Sequence, residues 1–189
     1  MGRSKPLLLW GSETLVAYQA RQLLEAGLDP VVVVLGDQAE LVAAALAPQL
    51  RPELVLVTNR AYTQGKVGSV LCGLRALSPD ASGMAVLSVD QPRPSALLRA
   101  VLDAHAAGNA LITVPRYRGR GGHPTVFSGA LYAELLAIDE ATLGLRAVVQ
   151  RHRDEVHYVE LEDPVVTLDF NDEASYAVAR AAFLSGQRT

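Results

Sequence analysis

The sequence predicts an α/β fold, a three-layer α/β/α sandwich around a mostly parallel sheet. Short aliphatic runs at 31–36, 54–57 and 84–89 are bounded by turn residues, the pattern of strands buried on both faces. Between them lie segments with apolar residues at helical spacing, so strand and helix alternate along the chain. Half of the residues are hydrophobic but only 5% are aromatic, so the core is built from Val, Leu and Ala.

Each element follows from local signals. Ser12 can cap a helix over 14–26, on which Val16, Ala20, Leu23, Leu24 and Gly27 share one face. Gly27 stops it. The run 31–36 is a strand, 38–47 a helix ended near Pro48, and 54–57 a strand that delivers Asn59 at its tip. A loop over 60–68 holds two glycines and a lysine, and a short helix over 69–77 leads to the strand 84–89, which stops at Asp90, Gln91 and Pro92. A helix over 97–107 follows. Strands over 110–115 and 125–127 flank an arginine- and glycine-rich loop. Helices at 130–138 and 145–152 precede late strands at 156–161 and 165–170, and an amphipathic helix over 173–184 closes the chain. No repeat, low-complexity stretch or linker divides the sequence, and residues 1–189 are expected to form one domain.

Composition narrows the function classes. With 17 basic and 20 acidic residues the net charge is −3, which provides no basic field for nucleic acid. Arg116, Arg118 and Arg120, without an aromatic platform beside them, suit a small-molecule phosphate or a solvated loop better than RNA. The single cysteine, Cys72, excludes an internal disulfide and a cysteine-based zinc cluster. There is neither a signal-peptide pattern nor an apolar span of about 20 residues, so a cytoplasmic protein with no membrane partner is expected.

Candidate chemistry gathers at strand ends, because the carboxyl edges of strands in one open sheet converge on one crevice. Asp90 projects a carboxylate there, suited to Mg²⁺, which takes one or two carboxylates with waters and phosphate oxygens. Asn59, Asp169 and Asn171 lie at other strand ends. Gly65-Lys66-Val67-Gly68-Ser69 places backbone N–H groups at a helix start, where an anion is favoured. Lys5 stands just before an apolar segment. His123, in Gly121-Gly122-His123-Pro124, is the histidine singled out. His105, His152, Cys72 and Trp10 are read as packing or surface residues.

In order along the chain, Met1-Gly2-Arg3-Ser4-Lys5-Pro6-Leu7-Leu8, the loop from Asn59 to Ser69, Val89-Asp90-Gln91-Pro92, Gly121-Gly122-His123-Pro124 and Asp169-Phe170-Asn171 resemble the molybdenum cofactor nucleotidyltransferases, above all their cytidylyltransferase branch. The resemblance implies a Rossmann-like sheet of the nucleotide-diphospho-sugar transferase type and Mg²⁺-dependent transfer of CMP from CTP to molybdopterin, with release of pyrophosphate. Residue by residue it carries over to Lys5 and Asp90 for catalysis, with Lys5 on the triphosphate, and to Asp90 with either Asp169 or Asn171 for the metal; Asn59, Gly65, Gly68 and Ser69 are expected at the nucleotide, and Gly121, His123 and Pro124 at the acceptor. A molybdoenzyme that receives the product is an implied partner.

The sequence departs from that family where an apolar strand and a Leu-Ala-Ala-Gly turn with a further arginine stand before the Met-Gly. Losing a central strand removes roughly ten hydrogen bonds at about 1 kcal/mol each, which rivals the whole stability of a domain. The natural product is therefore expected to start upstream, or this version to be impaired. The family's Gly-Asp before Gly-x-Arg is reduced to Gly144-Leu145-Arg146, and its closing Asp-x-Asp-Thr-Pro becomes Asp169-Phe170-Asn171-Asp172-Glu173. Alternatives of the same fold are a methylerythritol phosphate cytidylyltransferase or a guanylyltransferase; a non-catalytic cofactor-binding carrier is a third reading. A dehydrogenase lacks its Gly-x-Gly-x-x-Gly turn between strand and helix.

Overall fold

The computed structural model of the protein describes residues 4–141 and 143–186. Met1, Gly2 and Arg3 of the opening motif lie outside the described residues. A 3-10 turn, Lys5–Leu7, leads into a small antiparallel hairpin of β1 (Leu9–Trp10) and β2 (Glu13–Thr14). There follow α1 (Leu15–Glu25), β3 (Val31–Leu35), α2 (Ala39–Leu46), β4 (Leu54–Thr58), α3 (Lys66–Leu74), β5 (Gly83–Val86) and α4 (Ser95–Ala107). The second half holds β6 (Ile112–Tyr117), β7 (Arg120–Gly121), β8 (Thr125–Ser128), α5 (Tyr132–Leu136), α6 (Leu145–Arg151), β9 (Val156–Glu160) and α7 (Glu173–Gly186).

β3 and β4 pair in parallel from Val31 opposite Leu54 to Leu35 opposite Thr58. β5 to β9 form a second sheet, in which β8 runs antiparallel to both β5 and β6 while β9 is parallel to β6. β5, β6 and β9 therefore share one direction. This is the mostly parallel α/β arrangement the sequence predicts, with β8 and the short β7 as its antiparallel members.

The layers follow from side-chain alternation along strands. Val31, Val33 and Leu35 pack with Val16, Ala20, Val42 and Leu46 of α1 and α2, while Val34 turns to the other face, where Gly73 of α3 leaves it room. In the larger sheet Met84, Ile112 and Phe127 pack against Leu74, Leu135 and Val148 of α3, α5 and α6. Val126 faces Leu97 and Val101 of α4 on the opposite side. Phe127, Ile112, Val101 and Leu135 are fully buried, each contributing about 1.5–3 kcal/mol by leaving water. α1 joins the two sheets. Its Gln19 Nε2 donates to the carbonyls of Ser88 at 2.9 Å and Gln91 at 3.3 Å, and its Gln22 Oε1 accepts from the Ser95 amide that opens α4 at 2.7 Å. Among the described residues no helix is long and apolar enough to cross a membrane.

Four local readings are corrected. Thr14, not Ser12, caps α1, its hydroxyl accepting from the Ala17 amide, because residues 13–14 are already extended in β2. α3 begins at Lys66, so Gly68 and Ser69 lie inside its first turn rather than ahead of it. β5 ends at Val86, and residues 87–90 bend into a turn closed by the Gln91 amide on the Ser88 carbonyl at 3.1 Å. The apolar run 165–170 is not a strand: Asp163 caps a 3-10 turn, Pro164–Thr167, by accepting from the Val165 amide at 2.8 Å.

Candidate functional site

Beyond β5 the turn over 87–90 holds Asp90, and residues from both ends of the chain meet it. The Lys5 ammonium donates to Asp90 Oδ2 at 2.7 Å, to Asn171 Oδ1 at 3.1 Å and to the Phe170 carbonyl at 3.2 Å. The Lys5 and Asp90 side chains are 27% and 18% exposed, which keeps the pair open to solvent on one side. Gln91 Nε2 reaches Asp169 Oδ2 at 3.4 Å, and the Phe170 amide donates to the Asp90 carbonyl at 3.4 Å. Lys5, Asp90, Asp169 and Asn171 are thus gathered at one rim.

Phe170 anchors this rim from below. It is fully buried, stacks on Trp10 with ring centroids 5.8 Å apart, and meets Tyr176 edge-on at 5.4 Å. Trp10 also packs on Phe183 at 4.9 Å, which makes it the core residue the sequence reading takes it for. Packing fixes Phe170, and its chain neighbours Asp169 and Asn171 are placed as a result.

The donor set suits a hard cation. A carboxylate, an amide oxygen and a backbone carbonyl already surround a positive group, the ammonium, and Asp169 stands by; oxygen ligands of this kind are what Mg²⁺ and Mn²⁺ take. Among the described residues no three His, Cys, Asp or Glu side chains group as metal ligands, so the neutral oxygens of Asn171 and the backbone matter to that fit.

The loop carrying Gly121, His123 and Pro124 lies against the same rim. The Gly122 amide donates to the Pro115 carbonyl at 2.8 Å and the His123 amide to the Val166 carbonyl at 3.2 Å, while the His123–Pro124 peptide is cis. A Cβ at position 122 would stand 1.9 Å from the Val166 oxygen, so only glycine permits this approach. The His123 imidazole is held below its ordinary pKa by burial and by the Arg93 charge, with Asp169 and Asp90 opposing.

Arg93, which the sequence reading passes over, is completely buried beneath this loop. Its Nε donates to the His123 carbonyl at 2.9 Å, Nη1 to the Pro92 carbonyl at 2.9 Å and Nη2 to the Val166 carbonyl at 2.8 Å. Burial pushes its pKa down to about 10, partly offset by Asp169 and Asp163. Arginine is usually exposed, so nothing in the sequence marks this one except its position three residues after Asp90.

The second predicted group sits at the start of α3. Asn59 is buried; its amide N–H₂ donates to Ser69 Oγ at 3.0 Å and its Oδ1 accepts from the Ala61 amide at 2.9 Å, tying the tip of β4 to the helix. Gly68 adjoins that Asn59 amide, where a Cβ would lie 3.5 Å from its nitrogen. Gly65 takes φ +127°, and the Glu140 carboxylate fills the adjoining space, accepting from the Val67 amide at 2.9 Å. The structure thus meets an N-terminal helix donor with an internal anion. Among the described residues no hydrogen bond of Asn59 or Ser69 reaches Lys5, Asp90, Asp169 or Asn171.

His105 and His152 hold the packing and surface places read for them. His105 Nδ1 lies 2.8 Å from Thr113 Oγ1, and His152 bridges Glu134 and Glu155 at 2.8 and 3.0 Å. The arginine loop differs from its reading: Arg116 lies over the Tyr158 ring at 4.7 Å and pairs with Glu160, and Arg118 lies over Tyr117 at 5.2 Å. Aromatic rings therefore do stand beside these arginines, brought there partly by the pairing of β9 with β6.

Comparison with known proteins places this geometry. The chain is 35% identical over 114 residues to the bifunctional protein GlmU of Anaeromyxobacter dehalogenans, a match that covers 56% of this chain and 23% of that protein. It spans less than a quarter of the length of the curated relatives it matches. The crystal structure of Rv0371c from Mycobacterium tuberculosis superposes with a TM-score of 0.81 at 27% identity, covering 96% of this chain and 90% of that one. A complex of Rv0371c with manganese superposes with a TM-score of 0.77 at 28% identity, covering 95% and 93%. Residues 1–156 match the model of the MobA-like NTP transferase domain, and the chain belongs to that family.

Proposed function

We propose that this chain is a single nucleotidyltransferase domain that moves a nucleoside monophosphate from a nucleoside triphosphate to a phosphate-bearing acceptor, with release of pyrophosphate. The observation that carries the reading is the meeting of Lys5 with Asp90, Asn171 and the Phe170 carbonyl at one rim, with Asp169 close by. An acceptor phosphate is already ionised near neutral pH, so the reaction needs no histidine base or serine nucleophile. It needs neutralised charge and alignment.

Asp90, Asp169 and Asn171 would hold a divalent ion, which when bound offsets charge on the phosphate oxygens. The manganese complex of Rv0371c supports such an ion, and Mg²⁺ is the favoured one here. Lys5 carries a positive charge to the triphosphate from the same rim. Gly121, His123 and Pro124 face the acceptor side; neutral His123 offers it a hydrogen bond without adding charge. Asn59, Gly65, Gly68 and Ser69 would form the nucleotide side, next to the Val67 amide from which Glu140 accepts.

CTP and molybdopterin are the favoured pair, with a molybdoenzyme as recipient of the product and a cytoplasmic setting. The test is a panel of the four nucleoside triphosphates with Mg²⁺ or Mn²⁺ and molybdopterin or methylerythritol phosphate, read by pyrophosphate release. CTP with molybdopterin is expected to give the fastest release. Turnover with another pair replaces the substrates, and calorimetric binding without any release contradicts the transferase.

A further inference from the structure

We propose that Arg93 is a positioning residue, its buried guanidinium fastening the Asp90 turn, the acceptor-side loop over 121–124 and the segment that carries Asp169 into one site. The inference rests on the nucleotidyltransferase reading for what the site does, and on the contacts of Arg93 for how it is held.

Each nitrogen of the planar fork serves a different segment. Nη1 binds the Pro92 carbonyl two residues after Asp90, Nε the His123 carbonyl in the loop, and Nη2 the Val166 carbonyl three residues before Asp169. The acceptors lie 1, 30 and 73 residues away in sequence, so no local turn could join them. The Val166 oxygen also accepts from the His123 amide and abuts Gly122, which closes a ring of contacts from arginine to loop to segment and back.

The choice of residue carries information. A fully buried cation is costly, and an apolar side chain of similar volume often serves stability as well or better. Among the described residues no carboxylate is a hydrogen-bond partner of Arg93; its acceptors there are backbone carbonyls. What arginine adds is a rigid fork with five donors, which sets three oxygens at fixed separations as lysine cannot. It also leaves a positive charge near Asp169 and Asp163. Sites that align a metal and two substrates lose function when supporting contacts slacken by an ångström.

The test uses Arg93→Met and Arg93→Lys in the full chain, with folding followed by circular dichroism. In Arg93→Met the amides of Gly122 and His123 should exchange with deuterium about tenfold faster or more, while those of Leu54–Thr58 keep the wild-type rate. Mn²⁺ affinity without nucleotide, read by electron paramagnetic resonance, should fall about 10–100-fold, as for other residues that support metal ligands. In turnover kcat should fall while KM for the triphosphate changes less, and Arg93→Lys should restore part of each loss. A folded Arg93→Met with wild-type exchange at 122–123, or with equal loosening in Leu54–Thr58, overturns the proposal, as does failure of both variants to fold. Wild-type protein that neither binds Mn²⁺ nor turns over contradicts the transferase reading instead, and the exchange rates still decide the role of Arg93.

Discussion

Phe170→Ala separates the packing beneath the candidate site from the chemistry above it. The ring is fully buried against Trp10 and Tyr176, and truncation of a buried phenylalanine costs about 3–5 kcal/mol, to which lost aromatic pairing adds about 0.5–1.5 kcal/mol per pair within that range. For a domain of this size each kcal/mol lowers the melting temperature by about 2–4 °C, so a fall of about 6–20 °C is expected. Urea unfolding should show a lower midpoint with an unchanged slope. Because Phe170 offers its carbonyl to Lys5 and lies between Asp169 and Asn171, the still-folded variant should also bind Mn²⁺ more weakly than wild type. A loss below about 1 kcal/mol, the scale of an ordinary surface change, would refute the view that this ring anchors the rim.

Lys5→Met should lower turnover by about 10²–10³-fold, the cost of removing one preorganised charge-stabilising group, yet change urea stability by less than about 1 kcal/mol because the pair with Asp90 is partly exposed. A proton NMR titration should place His123 below the ordinary value of about 6.5, through burial and then Arg93, His105 below it through burial and then His157, and His152 above it through its bonds to Glu155 and then Glu134. The folded state binds fewer protons at His123 and His105 than the unfolded chain does, so their stabilising contribution is complete above about pH 6.5 and is lost as pH falls below it. His152 acts the other way, contributing below about pH 6.5 and losing that contribution as pH rises through its raised value. A His123 that titrates above His152 would contradict these environments.

The alternation of aliphatic runs with helical spacing made the strands and their helices legible, since burial on both faces leaves few other residue choices. Asp90 was legible because a polar residue after such a run marks a strand's end, although the structure inserts a turn between β5 and the carboxylate. The segment 165–170 has β-branched and aromatic residues with strand propensity, yet the Asp163-Pro164 start signal decides the outcome and opens a 3-10 turn, Pro164–Thr167. Arg93 and Glu140 were not legible: each acts through contacts with distant parts of the chain, and a charged residue carries no local sign that it will be buried or will meet a helix end 73 residues away. Trp10 is a packing residue, but its partners Phe170 and Phe183 lie far along the chain and only the fold brings them together.

The most direct measurement is metal-dependent pyrophosphate release by Asp90→Ala beside the wild type, both with the triphosphate and acceptor that the panel selects. A fall of at least about 10²-fold is expected in an otherwise folded protein, because Asp90 is the carboxylate that meets the Lys5 ammonium together with the Phe170 carbonyl and Asn171. Wild-type rates from a folded Asp90→Ala would contradict it.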